Sequence, residues 1–379
     1  AVDLLDGAWA ALRLRGPFRI GAELAAQLQA LAGLDAAQTA SVRRVAGQAL
    51  VASGQRAEAR PHFEAALQLA GDAGDRLGQA RALCQLGHLD LAAGQADAAQ
   101  RCFVQALHGA QALHDHGLEC EVRNGLGTLH DTLGQLDEAL QQYQAGLALA
   151  RRVGNQRREA GLRGNIGNVH ASQGRMAEAQ ADYEAALHAA REVGDRVYEG
   201  NMLCNLGYLH LTEGRPLDGQ ACFEPALALA RDLGHAQLEC IVLCNLALVA
   251  DALGQRQDAM RHYEAALTIA RQLRSLGSEG QILGYLGPLM AAEGRLDEAR
   301  RSLEEGARLL AEVSDRFSLG VLVGNWAEVE ALAGQTGTAR ELLDQATALA
   351  QDIGAGPASE LGLSLARVAG LLDGQLPGG

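Results

Sequence analysis

The side-chain amide of Asn165 returns at Asn205, Asn245 and Asn325, each a multiple of 40 residues away. An asparagine offers a donor pair and an acceptor, the complement of a peptide bond's C=O and N–H. A row of such amides suits recognition of a polypeptide backbone irrespective of its sequence. The same residues suit a second role, capping or bridging neighbouring helices from inside a wall of side chains. His130, His170 and His210 share another column of the same period. Stacked helical layers set such residues about 10 Å apart, too far to share one metal, so they read as core or boundary histidines. His114-x-His116-x3-Cys120 has a spacing that could hold a metal, but it recurs in no other unit. An enzyme with a metal in this histidine/cysteine cluster is the reading from another class. No nucleophile–base–acid set stands out, and no glycine-rich phosphate loop follows a strand. No catalytic residue, metal or cofactor is expected.

Composition narrows the chemistry further. All 32 basic residues are arginine. Without lysine there is no P-loop, no protein-kinase site and no Schiff base. A net charge of −14 disfavours nucleic acid as a partner. No run of 18 apolar residues exists, so no membrane partner is expected. The chain opens at Ala1 without a basic-then-apolar leader, as a fragment or processed form would. Of the seven cysteines, Cys84, Cys204 and Cys244 share one column, Cys102 and Cys222 another, Cys120 and Cys240 a third. These columns otherwise favour small residues, so the thiols read as packing groups in a reducing cytoplasm.

The elements that position these residues follow from the period. Glycines stand at 54, 94, 134, 174, 214, 254, 294 and 334, with no insertion or deletion between them. A small residue follows five places later (Ala59 to Ala339), a large one four further on (Phe63 to Leu343), then another small one. A Leu-Gly-like pair lies upstream, from Leu86-Gly87 to Trp326-Ala327. Small residues let two helices approach to about 8–10 Å, and the large one fills the space between them. The turn glycine takes positive φ and ends the first helix. Gly74, Gly154, Gly194, Gly234 and Gly354 end the second, and Asp75, Asn155, Asp195 and Asp315 cap the helix that follows. Each 40-residue unit therefore reads as an antiparallel pair of helices of about 17 residues. Residues 76–155 also resemble 196–275, an offset of three units, as duplication of a three-unit block would leave.

The pattern Leu-Gly…Ala-x3-Tyr/Phe-x2-Ala resembles the tetratricopeptide repeat over residues 39–355. The usual unit has 34 residues, and its early tryptophan and late proline are missing here. The long form resembles the repeats of Pins/LGN adaptors and the repeat tails of bacterial signalling ATPases and kinases. The resemblance implies an all-α, right-handed superhelical solenoid: a degenerate helical pair at 1–38, eight units at 39–355, and a capping helix and tail at 356–379. Gly374-Gln375 copies the turn of the other units, as a lost or truncated repeat would. In this family the first helices line the concave groove. That places Arg81, Glu121, Asn201 and Gln281 in one column, and Gln85, Asn165, Asn205, Asn245, Tyr285 and Asn325 in the next. Asn168 and Tyr208 lie one turn further on. Units about 10 Å apart match roughly three residues of extended peptide at about 3.3 Å each. The implied function is non-enzymatic binding of an extended peptide or protein segment in the groove of a cytoplasmic scaffold. The alternative is a sensing or autoinhibitory segment of a larger regulator with an intramolecular partner domain. The groove lacks a basic pair to clamp a C-terminal carboxylate, its few positive charges being Arg44 and Arg81. Pro288 lies inside a helix, where it implies a kink eased by Gly284: either a local widening of the groove or tolerated drift.

Overall fold

A helical hairpin needs one residue at positive φ where its first helix stops, and the glycines supply it. In the computed structural model, Gly94, Gly134, Gly174, Gly214, Gly254, Gly294 and Gly334 have φ between 71° and 80°. The second glycine column, Gly74, Gly154, Gly194, Gly234 and Gly354, lies between 61° and 69°. Where that column lacks glycine, the backbone keeps the same turn: His114, Arg274 and Ser314 stand at φ 54°, 54° and 57°. The structure describes residues 9, 23–24, 26–27, 33–52, 55–356 and 359–373. Most of the pair expected over 1–38, and the glycines at 54 and 374, lie outside them.

The described residues form helices and no strand. The chain divides into two compact units, Ala1–Leu209 and His210–Gly379. The first holds α1 (Ala36–Ala52), α2 (Arg56–Asp72), α3 (Arg76–Ala92), α4 (Ala96–Ala112), α5 (His116–Thr132), α6 (Leu136–Arg152), α7 (Gln156–Ser172) and α8 (Met176–Val193). Helix α9 (Arg196–Thr212) carries the division. The second holds α10 (Pro216–Asp232), α11 (Ala236–Ala252), α12 (Arg256–Gln272), α13 (Leu276–Ala292), α14 (Leu296–Glu312), α15 (Arg316–Leu332), α16 (Thr336–Asp352) and α17 (Glu360–Leu372). Odd-numbered helices up to α15 open a pair and even-numbered helices close it. Within each unit, successive helices pack as antiparallel neighbours.

The core repeats with the sequence. Phe63, Phe103, Tyr143, Tyr263 and Leu303 are fully buried between the helices of their pairs. Phe63, Phe103, Tyr143 and Leu303 sit where the first helix carries glycine, and Tyr263 packs where it carries Ala247. A Cβ on Gly127 would lie 2.5 Å from the Tyr143 ring, and one on Gly87 2.8 Å from Phe103. The Leu-Gly pair is thus a socket for the aromatic residue 16 positions later, on the second helix of the pair. Side-chain caps start the first helices: Asp75, Asp115, Asn155 and Asp315 accept N–H bonds from Gly78, Leu118, Arg158 and Ser318. Asp195 accepts from Tyr198. An electrostatic stitch joins successive pairs, with Arg151–Glu159 at 3.0 Å, Arg191–Glu199 at 2.7 Å, Arg231–Glu239 at 2.9 Å and Arg271–Glu279 at 2.7 Å.

Candidate functional site

In the first unit, the predicted Arg81, Gln85 and Glu121 come together. They line a cavity of about 360 Å³ with Arg44, Gln48, Asp115, Arg158 and Trp9. Helices α1, α3, α5 and α7 supply its polar groups, all from first-helix positions or their caps. The guanidinium of Arg158 donates to Glu121 Oε2 at 2.8 Å, and Gln85 Nε2 donates to Oε1 at 2.9 Å. Arg81 faces Asp115 at 3.6 Å. Three guanidiniums thus face two carboxylates. Arg158 was not legible from the groove columns, because it stands three residues after the Asn155 cap, where the neighbouring unit has Leu118. It adds a cation to the two expected at this end.

The amides of the same unit bridge neighbouring pairs. Asn165 Nδ2 donates to Asn124 Oδ1 at 2.8 Å, and Asn205 Nδ2 donates to Asn168 Oδ1 at 3.1 Å. Asn168 Oδ1 also accepts from the Tyr183 hydroxyl at 2.8 Å. Each bridge uses one of the two N–H groups an asparagine carries. Asn165, Asn201 and Asn205 are partly buried, while Asn168 and Tyr208 are exposed. The amide column skips α5, where Gly125 stands, because a Cβ there would lie 2.5 Å from the Phe103 ring. Tyr198 was also missed. Its hydroxyl donates to the carbonyls of Ala160 and Gly161, at 3.1 and 3.2 Å, in space that Gly164 leaves open. Burial pushes the Tyr198 hydroxyl pKa well up.

In the second unit, a cavity of about 770 Å³ is lined by Tyr263, Tyr285, Pro288, Asn325, Glu328, Leu363 and neighbours from α11 to α17. Tyr285 stacks on Tyr263 with ring centroids 5.7 Å apart, and its hydroxyl donates to Glu360 at 2.7 Å. Arg367 pairs with Glu328 at 2.8 Å, so α17 contributes both ends of a polar rim. Gln281 is exposed and donates to Ser318 at 2.7 Å; Asn245 is partly buried.

Asn325 also bridges neighbouring pairs, the second role open to this column. It is only 7% exposed, and its Nδ2 donates to the backbone carbonyl of Gly284 at 3.3 Å. The cause is Pro288. Proline has no N–H to give the carbonyl four residues back, and that carbonyl belongs to Gly284. The Asn325 amide supplies the missing donor, and α13 continues through the proline without a break. One N–H of this amide thus completes the helix, while the side chain also lines the cavity of this unit.

The histidine column is dispersed as expected. His170 Nδ1 meets Asp182 at 2.9 Å and His130 Nδ1 meets Gln135 at 2.6 Å. His114, His116 and Cys120 do not draw together as a metal group among the described residues; Cys84, His88 and Glu121 do.

Paired helices of fixed length, glycine sockets and polar first-helix columns define a helical repeat protein. The profile of the tetratricopeptide repeat family matches residues 78–152, 158–216 and 198–272, about half of the chain, and the chain belongs to this family. Comparison with curated proteins returns no match. Among solved structures, the chain is similar to the apo form of the quorum sensor NprR from B. thuringiensis: 15% identity, 92% of this chain and 97% of that one, TM-score 0.66. It is similar to the STAND protein with a tetratricopeptide repeat sensor, PH0952 from Pyrococcus horikoshii: 16% identity, 87% of this chain, TM-score 0.61. There it spans about half, 51%, of the other chain. The Rap conjugation gene regulator of plasmid pLS20, in complex with the Phr* peptide, matches at 14% identity over 80% of this chain and 95% of that one, TM-score 0.51. At these identities the likeness concerns the fold. No helix among the described residues is long and apolar enough to cross a membrane.

Proposed function

We propose that the chain is a non-enzymatic interaction scaffold of the cytoplasm whose first helices bind an extended peptide or protein segment. The observation that carries this reading is the division of labour within each pair. Second helices seal the core with Phe63, Phe103, Tyr143 and Tyr263. First helices present amides, guanidiniums and carboxylates to two open cavities. In the first unit a ligand backbone would take hydrogen bonds from the amides at Asn165, Asn201 and Asn205, with Asn168 beside them; in the second unit Asn245 would do the same. Arg81, Gln85 and Glu121 would select charged or polar side chains at the N-terminal cavity. Tyr285 and its Tyr263 platform, with Gln281, would take an apolar or aromatic side chain at the C-terminal one. The pLS20 regulator, solved with a peptide, supports a peptide ligand.

A second reading is favoured by PH0952, a sensor whose chain is about twice the matched length. On that reading the groove serves a larger regulator and holds its own chain or a small peptide signal.

The test is selection of peptides from a random displayed library, followed by site-specific photo-crosslinking. Crosslinkers at Asn201 and Gln281 on first helices should capture the selected peptide. Crosslinkers at Gln180 and Glu264 on second helices should not. Capture only from second helices would reject the groove reading.

A further inference from the structure

Cys84 and His88 lie four residues apart on α3, so their side chains share one face. Glu121 reaches the same point from α5, in the next pair. The Cys84 Sγ, a His88 ring nitrogen and a Glu121 carboxylate oxygen all lie within 4.8 Å of one another. Cys84 Sγ and Glu121 Oε1 are already 3.8 Å apart. Three ligands of a tetrahedral zinc, with bonds of about 2.0–2.3 Å, stand roughly 3.5 Å from each other. Closing the triangle takes at most about 1.3 Å of approach between any two ligand atoms.

We propose that Cys84, His88 and Glu121 form a binding site for a divalent transition-metal ion of the zinc type. A thiolate, an imidazole and a carboxylate are the donor set such an ion takes, and hard cations that want only oxygen do not. The surroundings support it. Phe103 meets the His88 ring edge-on at 5.0 Å and fixes its plane. Arg158 and Gln85 hold the carboxylate from outside at 2.8 and 2.9 Å, as orienting groups behind a ligand do. The thiol proton passes to solvent on binding. Because a thiol must lose its proton to ligate, affinity should rise with pH.

Three protein ligands leave a fourth position for water or a donor from the cavity that Glu121 also lines. The set occurs once. The unit 120 residues on keeps Cys204 but has Tyr208 and Ile241 in the other two places. The site differs from the His114, His116 and Cys120 spacing that the sequence offers.

The test is titration of the full chain, stripped of metal and kept reduced, with Co2+ and then Zn2+. The expected result is one equivalent bound, a thiolate-to-cobalt absorption band, and displacement of cobalt by zinc. Cys84→Ala should abolish the band. His88→Thr and Glu121→Gln, which carry residues other units use in these columns, should each weaken binding at least about tenfold. Cys240→Ala should change nothing, and circular dichroism should show all variants folded. No stoichiometric uptake by the folded wild type would overturn the proposal. So would uptake that survives all three ligand substitutions. Peptide binding by the groove is read separately and does not enter either outcome.

Discussion

At the scale of single residues, the amides of one sequence column do different work. Asn165 and Asn205 bridge pairs and keep a second N–H, whereas Asn325 repairs the helix that Pro288 interrupts. The spacing of 40 was legible; this division was not, because it depends on a proline in the preceding unit. Asn325→Ala should cost about 1–3 kcal/mol by orphaning the Gly284 carbonyl. In Pro288→Ala the backbone regains its donor, and Asn325→Ala should then cost much less. A double-mutant cycle in urea measures the coupling; additive effects would refute the repair. Burial also lowers the pKa of His62, His88 and His262 below the ordinary 6.5. The unfolded chain therefore takes up protons near pH 6.5 that the folded chain refuses. Stability should be full above that value and fall as pH drops through it toward the lowered folded values. Thermal melts at pH 7.5 and 5.5 check this, and His88→Thr should reduce the difference.

At the scale of elements, most of the fold could be read directly. Helix length, turn position and the buried aromatic column follow from a period without gaps, since each glycine or small residue has one geometric duty. Less legible were the Arg–Glu stitches between pairs and the seat of Tyr198, which depend on how one pair meets the next. Three helix ends keep the left-handed turn without glycine: His114, Arg274 and Ser314. A side chain there costs about 1–2 kcal/mol, partly offset by the greater freedom glycine gives the unfolded chain. Arg274→Gly should gain roughly 0.5 kcal/mol in urea denaturation, whereas Gly254→Arg, at another left-handed turn, should lose stability.

At the scale of the whole chain, the family is set by the repeat, and the proposed function rests on what the first helices carry. The columns named Arg81, Gln85 and Glu121 correctly as neighbours, but missed Arg158 and Trp9, which reach the same cavity from other columns. On the proposed function, the carboxylate–guanidinium lining of the N-terminal cavity would take charged or polar ligand groups, and the tyrosine pair of the C-terminal one a flat apolar group. The measurement that bears most directly on this account is the affinity of a library-selected peptide for wild type and for the Asn165→Ala/Asn205→Ala variant. Two lost hydrogen bonds of about 0.5–1.5 kcal/mol each predict a loss of roughly 5- to 150-fold with the helical content unchanged. Equal affinity for the folded variant and the wild type would contradict it and leave these amides as bridges alone.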